Sequence, residues 1–285
     1  MLDRLDVHDG HRVLEIGTGS GYNAALLCCR VGEDRVHSVD IDATFVTQAA
    51  EHLSHAGYHP QVSATNGAAL PDDHTYDRII ATCAIDEVPS SWVRQLTTGG
   101  RLLAPMSCGG ALAVLDKTSD DTLTGYVDSA PVYFMPLRDA PEQLLPAHVA
   151  FPLPPLPPAT ECHRGTTDID PRIAENRDFQ LWFALHLLGS QVTHSYTSDG
   201  TVTSTIVYTP QDRATARYQP SSGGLWPVTQ HGQRLWDTVE AAAHAWRRNG
   251  EPKRARLGIT VRDGDNPAQY AWLDSPDSEY AWPLK

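Results

Sequence analysis

Three glycines at alternate positions place the strongest constraint on how the start of this chain folds. They are Gly17, Gly19 and Gly21, within the stretch VLEIGTGSGYNAALL that begins at Val13. An apolar run precedes the glycines, and a run compatible with a helix follows them. This order is typical of a buried parallel strand, a tight turn and a helix, with a turn backbone that a ligand can approach closely.

The spacing of the glycines bears on the kind of ligand. Dinucleotide-binding folds use G-x-G-x-x-G, whose third glycine allows close packing of helix against strand. Here Tyr22 takes that place, which counts against an NAD-dependent dehydrogenase. About 20 residues after the glycines a second predicted strand reaches Asp40, where a carboxylate can accept hydrogen bonds from both hydroxyls of a ribose. A glycine turn that only connects strand to helix is the alternative.

Composition divides the chain into regions. Residues 1–140 alternate predicted strands and helices, which indicates a doubly wound, mostly parallel α/β sheet. Seven prolines between residues 140 and 158 predict a semi-rigid linker over 141–158. Residues 159–285 mix predicted helices with polar alternating stretches, which indicates a second, smaller α+β domain.

Two helices and two strands can be predicted individually. A helix capped by Ser90 or Ser91 is predicted to run to the glycine pair at 99–100. A longer helix over 232–248 carries two tryptophans on one apolar side, which favours a core position for both. The stretches ARLGITVRDG and YAWLDS are predicted as strands that close the second domain.

Charge, hydropathy and cysteine content exclude several function classes. The chain has 22 Lys and Arg against 35 Asp and Glu, so it would repel a nucleic-acid backbone, and no nucleic-acid partner is expected. No apolar run approaches the ~20 residues of a membrane helix, and MLDRLDVHDG lacks a signal-peptide core, so no membrane partner is expected. The five cysteines form no C-x-x-C pair, which indicates reduced thiols in a cytoplasmic protein.

Several stretches together resemble one enzyme family. LEIGTGSG with Asp40 resembles motif I of class I methyltransferases, which bind S-adenosylmethionine. ATNGAALP, YDRIIATCAIDEVPSSWVRQLTTGGRLLAPM and VYFMPLR then follow in the order and spacing of protein-L-isoaspartate O-methyltransferases. Within the family, the chain resembles actinobacterial members with an added C-terminal domain, some of which modify aspartates in ribosomally made peptides. The resemblance covers the first half of the chain and implies a Rossmann-like methyltransferase sheet with S-adenosylmethionine as cofactor.

The resemblance assigns roles to individual residues. Those it implies as cofactor-binding are Glu15, Gly17, Thr18, Gly19, Ser20, Gly21, Asp40, Ile41, Asn66 and Gly67. Asp40 would hold the ribose, and Ile41 would lie beside the adenine. Asn66 stands where the family has an aspartate that recognises the adenine amino group, and its amide oxygen can still accept that N–H. A substrate-side wall is implied for Thr82, Cys83 and Ala84.

The implied substrate is a protein or peptide that carries aspartate or isoaspartate, in protein repair or in peptide modification. A carboxylate with a pKa of about 4 is ionised at neutral pH, so no general base is needed and no catalytic residue is assigned. Catalysis then depends on aligning oxygen, methyl and sulfur. The next backbone amide displaces the ester and forms a succinimide, which water reopens.

One family segment lies upstream of motif I. It holds a Thr-Ile-Ser-Gln-Pro-like loop that covers the cofactor and supplies a substrate-contacting serine, whereas 12 residues precede Val13 in this chain. The resemblance therefore predicts cofactor binding with weak or absent turnover. A non-catalytic peptide-binding module that keeps the cofactor fold is the alternative function.

Two polar clusters have simpler interpretations than catalysis or metal binding. His52, His55 and His59 surround a glycine and precede a proline, so we expect a solvated end of a helix and no metal site. Asp86 and Glu87 form an acidic pair, but carboxylate methylation needs no acid–base pair. A polar turn before the next proline is therefore expected.

Two further features are left with alternatives. Cys83 is near the predicted site, yet no base is evident beside it, which favours a buried thiol over a nucleophile. The stretch RRNGEPKRAR over 247–256 is most simply the C-terminal end of a helix with favourable cations. An electrostatic surface that attracts an acidic peptide is its alternative role.

Overall fold

The chain divides into two compact units in a computed structural model. The first unit combines Met1–Leu144 with Ala255–Lys285, and the second is Leu145–Arg254. The structure describes residues 1–71, 74–139, 161–186, 191–196, 201–209, 211–220 and 223–284. The predicted linker over 141–158 lies outside these described residues.

The described residues form helices and strands in the following chain order. The helices are α1 (Leu2–Leu5), α2 (Tyr22–Val31), α3 (Ala43–His55), α4 (Ser90–Gln95), α5 (Arg177–His186) and α6 (Leu235–Arg248). The strands are β1 (Val13–Ile16), β2 (Val36–Asp40), β3 (Gln61–Ala64), β4 (Tyr76–Ala81), β5 (Leu96–Pro105), β6 (Leu112–Ser119), β7 (Thr122–Val127), β8 (Cys162–Thr167), β9 (Gln191–Tyr196), β10 (Val202–Tyr208), β11 (Arg213–Arg217), β12 (Trp226–His231), β13 (Leu257–Arg262), β14 (Ala268–Leu273) and β15 (Ala281–Pro283). None of these helices is long and apolar enough to cross a membrane.

The first unit is built on one sheet of ten strands in the order β15-β14-β13-β7-β6-β5-β4-β1-β2-β3. The predicted α/β sheet is confirmed over β3-β2-β1-β4-β5, where every neighbouring pair is parallel. The five remaining strands add antiparallel ladders, so the sheet is mixed rather than mostly parallel. All four residues of β1 are buried, as expected of a central strand with helices on both faces.

Helix α4 ends earlier than its sequence predicts. It stops at Gln95, and the predicted helical residues 96–100 open β5 instead. A Cβ on Gly100 would lie 2.7 Å from the backbone oxygen of Thr97, so this glycine serves close strand packing rather than a helix stop. The buried ammonium group of Lys117 donates to the backbone oxygens of Val93 and Leu96 at 2.7 Å, which satisfies carbonyls at the end of the helix.

The end of the chain belongs to the first unit, so the predicted second domain over 159–285 extends too far. β13 pairs antiparallel with β7, from Gly258 opposite Tyr126 to Arg262 opposite Thr122. The stretches ARLGITVRDG and YAWLDS are therefore strands, as predicted, but they complete the first sheet. The second unit is an insertion between β7 and β13, joined to the first unit at both of its ends.

The second unit combines an antiparallel sheet with helices, as expected for an α+β domain. Its five strands lie in the order β8-β12-β11-β10-β9. Helix α6 begins at Leu235, and its tryptophans Trp236 and Trp246 are buried, which confirms the predicted core role. Trp182 of α5 is also buried and donates from its indole nitrogen to the backbone oxygen of Ala242 at 3.0 Å, which ties the two helices together.

Candidate functional site

The glycine turn lies at the carboxyl end of β1, the central strand of the parallel part. β1 has β2 on one side and β4 on the other, and the strand order reverses direction here. Ligands of open α/β sheets bind in the crevice at such a switch point, outside the carboxyl ends of the strands. Three predicted features meet there: the turn at 17–21, Asp40 at the end of β2, and Thr82 directly after β4.

The turn uses its glycines for two different purposes. Gly17, Gly19 and Gly21 have φ values of 97°, 52° and 83°, in the left-handed region that favours glycine. A Cβ on Gly17 would lie 2.6 Å from the hydroxyl oxygen of Thr82, so a larger residue would clash with the Thr82 side chain. A Cβ on Gly19 would meet no atom of the described residues within 4 Å. Gly19 is therefore where the turn leaves space for a ligand.

The remaining turn residues hold the turn in place. A Cβ on Gly21 would lie 3.2 Å from Ala49 of α3, which shows that this glycine allows close helix packing. Thr18 is buried, and its backbone nitrogen donates to the backbone oxygen of Val39 at 3.1 Å. The backbone oxygen of Ser20 lies 3.0 Å from the Nδ1 atom of His52. These contacts fix the turn to β2 and α3.

Asp40 supports the turn and remains half-exposed. One carboxylate oxygen accepts a hydrogen bond from the backbone nitrogen of Gly19 at 3.0 Å, and the other accepts from that of Asp42 at 3.1 Å. Each oxygen has further acceptor capacity, because an ionised carboxylate offers about four lone-pair sites. Ile41 follows directly and is also half-buried. The geometry is therefore compatible with a carboxylate that accepts from ribose hydroxyls.

Glu15 lies beneath the turn rather than on its surface. Its side chain is fully buried, and its carboxylate accepts from the hydroxyl of Ser38 at 2.5 Å and from the amide of Asn23 at 2.6 Å. Burial raises the pKa of Glu15 to about 7. The hydroxyls of Thr18 and Ser38 lie 2.7 Å apart, so this network connects the turn to β2 and α2.

Sequence reasoning missed both partners of Glu15. Ser38 is a polar residue at a buried position of a strand, two residues before Asp40, and that was a usable signal. A buried polar side chain needs a hydrogen-bond partner, and Glu15 on the neighbouring strand supplies it. Asn23 in the first turn of α2 carried no comparable signal.

The burial of Glu15 predicts a pH dependence of stability. The pKa of Glu15 is about 7 in the folded chain, against an ordinary value of 4.5. Between these two pH values the folded chain therefore keeps a proton that the unfolded chain has lost. This stabilisation is complete below pH 4.5 and is lost as the pH rises through 7. The change amounts to about 3 kcal/mol in the free energy of unfolding. Urea denaturation of Glu15→Gln at pH 5, 6, 7 and 8 should show a flatter profile than the parent chain.

The matched control is Glu51→Gln, which alters an exposed carboxylate on α3. It should leave the pH profile of the parent chain unchanged. If Glu15→Gln and the parent chain lose stability equally between pH 5 and 7, the proton is not held by Glu15.

Asn66 and Gly67 follow β3 and lie at the same edge of the sheet. The amide oxygen of Asn66 accepts from the backbone nitrogen of Ala68 at 2.9 Å and keeps a second lone pair. A Cβ on Gly67 would lie 2.6 Å from the side chain of Ile16 at the end of β1. Trp92 of α4 donates from its indole nitrogen to the backbone oxygen of Gly67 at 2.7 Å, which fixes this segment against the sheet.

Thr82, Cys83 and Ala84 line the far side of the turn. The hydroxyl of Thr82 donates to the backbone oxygen of Gly17 at 2.6 Å. Ala84 exchanges backbone hydrogen bonds of 2.8 Å with Met135 and Leu137, which lie in the VYFMPLR stretch. Cys83 is a half-buried free thiol, and desolvation raises its pKa to about 12, so it is neutral at physiological pH, as expected of a thiol that is not a nucleophile.

His52 and His55 are exposed in the last turn of α3, as expected of a solvated end of a helix. The Nδ1 atom of His55 lies 2.8 Å from the backbone oxygen of Glu51, which belongs to the same helix. Asp86 and Glu87 are exposed in the turn that precedes α4. The part of the chain that the structure describes contains no group of three or more His, Cys, Asp or Glu placed to hold a metal. All five cysteines lie in that part, and each is a free thiol.

In the cationic stretch over 247–256, Arg247 and Arg248 lie in the last turn of α6, as the helix-end interpretation predicts. An electrostatic surface that attracts an acidic peptide stays a prediction, and two of its cations are paired with carboxylates. The side chain of Arg254 is only 2% exposed, and its Nε atom lies 3.5 Å from the carboxylate of Asp178. Arg256 belongs to the first unit and forms an ion pair of 2.7 Å with Asp274. Packing and pairing thus remove cations that the sequence places side by side.

Comparisons with known proteins match the first part of the chain. The family model described as protein-L-isoaspartate(D-aspartate) O-methyltransferase matches residues 1–142. The protein-L-isoaspartate O-methyltransferase of Rhodospirillum rubrum is 35% identical over 155 residues, which cover 50% of this chain and 68% of that protein. Protein-L-isoaspartate O-methyltransferase 2 of Polaromonas sp. is 34% identical over 142 residues, which cover 48% of this chain and 66% of that protein. The chain thus spans about two thirds of the length of these relatives.

Solved structures give weaker likenesses. One, described as a protein-L-isoaspartate O-methyltransferase, has a TM-score of 0.48 and 19% identity, and the match covers 94% of this chain and 78% of that chain. A SAM-dependent methyltransferase from Thiobacillus denitrificans, solved with S-adenosyl-L-homocysteine, has a TM-score of 0.32 and 20% identity over 36% of this chain and 44% of its own. The family assignment therefore rests on the sequence relatives and on the family model over residues 1–142. By these matches the chain belongs to the protein-L-isoaspartate(D-aspartate) O-methyltransferase family.

Proposed function

We propose that this chain is an S-adenosylmethionine-dependent O-methyltransferase that acts on aspartyl or isoaspartyl carboxylates of a protein or a ribosomally made peptide. The observation that carries the proposal is the meeting of the glycine turn, Asp40 and the Thr82–Ala84 segment at one end of β1. Family membership supports it and does not favour a non-catalytic module. We further propose that the chain is of the actinobacterial type with an added domain, here inserted between β7 and β13, and that it acts in the cytoplasm in protein repair or peptide modification.

The residues present fit the proposed cofactor. Gly19 leaves open space beside the half-exposed carboxylate of Asp40, which would accept hydrogen bonds from the ribose hydroxyls. The amide oxygen of Asn66 would accept from the adenine amino group, with Ile41 alongside. When bound, S-adenosylmethionine supplies a methyl group on a positively charged sulfur.

The chain would contribute position rather than acid–base chemistry. The substrate carboxylate is already ionised at neutral pH, so no residue has to remove a proton from it. Cys83 stays neutral because burial raises its pKa to about 12, so the thiol does not compete for the methyl group. The turn and the Thr82–Ala84 segment would align the carboxylate oxygen with the methyl group, an effect worth up to roughly 7–11 kcal/mol.

Two measurements test this function in the full chain. Isothermal titration with S-adenosylmethionine should show binding, and a labelled methyl group should be transferred to an isoaspartyl peptide at the low rate that the sequence predicts. A peptide with glutamate in place of isoaspartate is the control and should stay unlabelled. Cofactor binding without transfer to any aspartyl or isoaspartyl peptide would favour the non-catalytic module.

Asp40→Ala should weaken S-adenosylmethionine binding at least tenfold. The change removes two charge-assisted hydrogen bonds, each worth roughly 1.5–3 kcal/mol. It also frees the backbone nitrogen of Gly19, which loosens the turn. The measurement is isothermal titration, with circular dichroism to show that the fold is intact.

The control for this change is Asp42→Asn, two residues along the chain. Asp42 caps α3, accepting from the backbone nitrogen of Thr44 at 2.9 Å, and asparagine caps helices equally well. The control should bind the cofactor like the parent chain. Unchanged binding by Asp40→Ala would remove Asp40 from the site.

A further inference from the structure

The loop after β4 covers residues 82–88 and begins with the Thr82–Ala84 segment. Two pairings within the family-matched region hold its first half. Ala84 exchanges backbone hydrogen bonds with Met135 and Leu137, both 2.8 Å long. Ile85 pairs in the same way with the backbone at the end of β5. The second half of the loop depends on a different part of the chain.

Gln269 on β14 holds the far end of this loop. Its side-chain oxygen accepts from the backbone nitrogen of Val88, and its side-chain nitrogen donates to the backbone oxygen of Val88, both at 2.8 Å. One side chain thus makes the pair of hydrogen bonds that a residue of a neighbouring antiparallel strand would make. Two bonds to one residue fix its orientation as well as its position.

Val88 depends on this side chain because it is buried. Its exposed fraction is 1%, so its N–H and C=O groups cannot turn to water if Gln269 is lost. Gln269 is itself held in place by two neighbouring parts of the sheet. Its backbone oxygen accepts a hydrogen bond from the backbone nitrogen of Leu284 at 2.9 Å, and on β14 it lies opposite Val261 of β13. A rigid strand therefore anchors the loop.

We propose that Gln269 is a positioning residue of the substrate site. By holding Val88 it keeps the loop over 82–88, and with it the Thr82–Ala84 segment, in the shape that receives the carboxylate-bearing peptide. This role rests on the proposed function. It means that the segment after the second unit, outside the residues that the family model matches, forms part of the same site.

The test compares two variants of Gln269 in the full chain. Gln269→Leu removes both bonds to Val88, whereas Gln269→Glu keeps the acceptor and loses the donor. The control is Gln180→Leu in the second unit, which removes a side-chain bond of 2.7 Å to the backbone oxygen of Ala174. Hydrogen exchange over residues 82–88, peptide KM, kcat and cofactor affinity are measured for each.

Gln269→Leu should speed hydrogen exchange over 82–88 and raise the peptide KM, each by about tenfold, as expected for the loss of bonds to buried groups. Its kcat should change less than its KM, and its affinity for S-adenosylhomocysteine should stay within about twofold of the parent. Gln269→Glu should give exchange rates and a peptide KM between those of the parent and of Gln269→Leu. If the leucine variant does not fold, the glutamate variant still tests the proposal. Gln180→Leu should match the parent in all four measurements.

The outcomes separate this role from the proposed function. Unchanged exchange over 82–88 in both Gln269 variants overturns the role, as does faster exchange with an unchanged peptide KM. A parent chain that transfers no methyl group to any aspartyl or isoaspartyl peptide overturns the proposed function and the substrate role of Gln269 together. Because exchange needs no turnover, it reports on the contact between Gln269 and Val88 in every case.

Discussion

A chain that stops after residue 254 should fail to fold its first unit, although it keeps every residue that the family model matches. The truncation removes β13, β14 and β15 and leaves β7 as an edge strand that pairs with β6 alone. It also removes six large buried apolar side chains, namely Leu257, Ile259, Val261, Leu273, Trp282 and Leu284. Burial of six such side chains corresponds to roughly 9–18 kcal/mol, which equals or exceeds the total stability of a typical domain.

The truncated and full chains can be compared by circular dichroism, thermal melting and limited proteolysis. We expect the truncated chain to aggregate or to be cleaved within residues 1–140, and the full chain to resist cleavage there. Point variants test single side chains of the removed segment. Ile259→Ala should lower the free energy of unfolding by about 2–5 kcal/mol, because Ile259 is only 2% exposed. Asp277→Ala changes an exposed residue of the same segment and should stay within about 0.5 kcal/mol of the parent. A cooperative melt of the truncated chain at the parent temperature would contradict the expectation.

Asp178→Ala should destabilise the second unit by about 3–5 kcal/mol, because it removes a carboxylate that pairs with the buried guanidinium group of Arg254. Asp178 accepts from the backbone nitrogen of Arg254 at 3.0 Å and lies 3.5 Å from its Nε atom. The guanidinium group also donates to the backbone oxygen of Arg177, but a carbonyl does not neutralise its charge. The cost therefore arises mainly from Arg254 rather than from the lost aspartate.

Denaturant unfolding followed by tryptophan fluorescence measures this cost, since Trp182, Trp236 and Trp246 report on the second unit. Adding Arg254→Met to Asp178→Ala should recover part of the stability, because the buried charge is then gone. Asp168→Ala serves as the control, as Asp168 is 61% exposed and its ion pair with His244 spans 3.9 Å. A loss below about 1 kcal/mol for Asp178→Ala would mean that water reaches the guanidinium group of Arg254.

The sequence by itself determined the order of elements around the site. Alternate glycines after an apolar run predicted a strand, a turn and a helix, because left-handed φ angles at those positions favour glycine. Asp40 and Thr82 each fall where a predicted parallel strand ends, and such ends meet at one edge of a sheet. The tryptophans of α6 could be assigned to a core because their spacing follows the helical repeat.

The tertiary structure decided what depends on contacts between distant parts of the chain. Nothing in the periodicity of β13 indicates that Ile259 pairs with Gly125 across the whole second unit, because a strand pattern specifies a buried face but not a partner. The charge of Arg254 is visible in the sequence, but its burial depends on Asp178, 76 residues away. The sequence likewise could not show that Gln269 bonds to Val88, since hydrogen-bond partners are chosen by the folded backbone and not by local propensity.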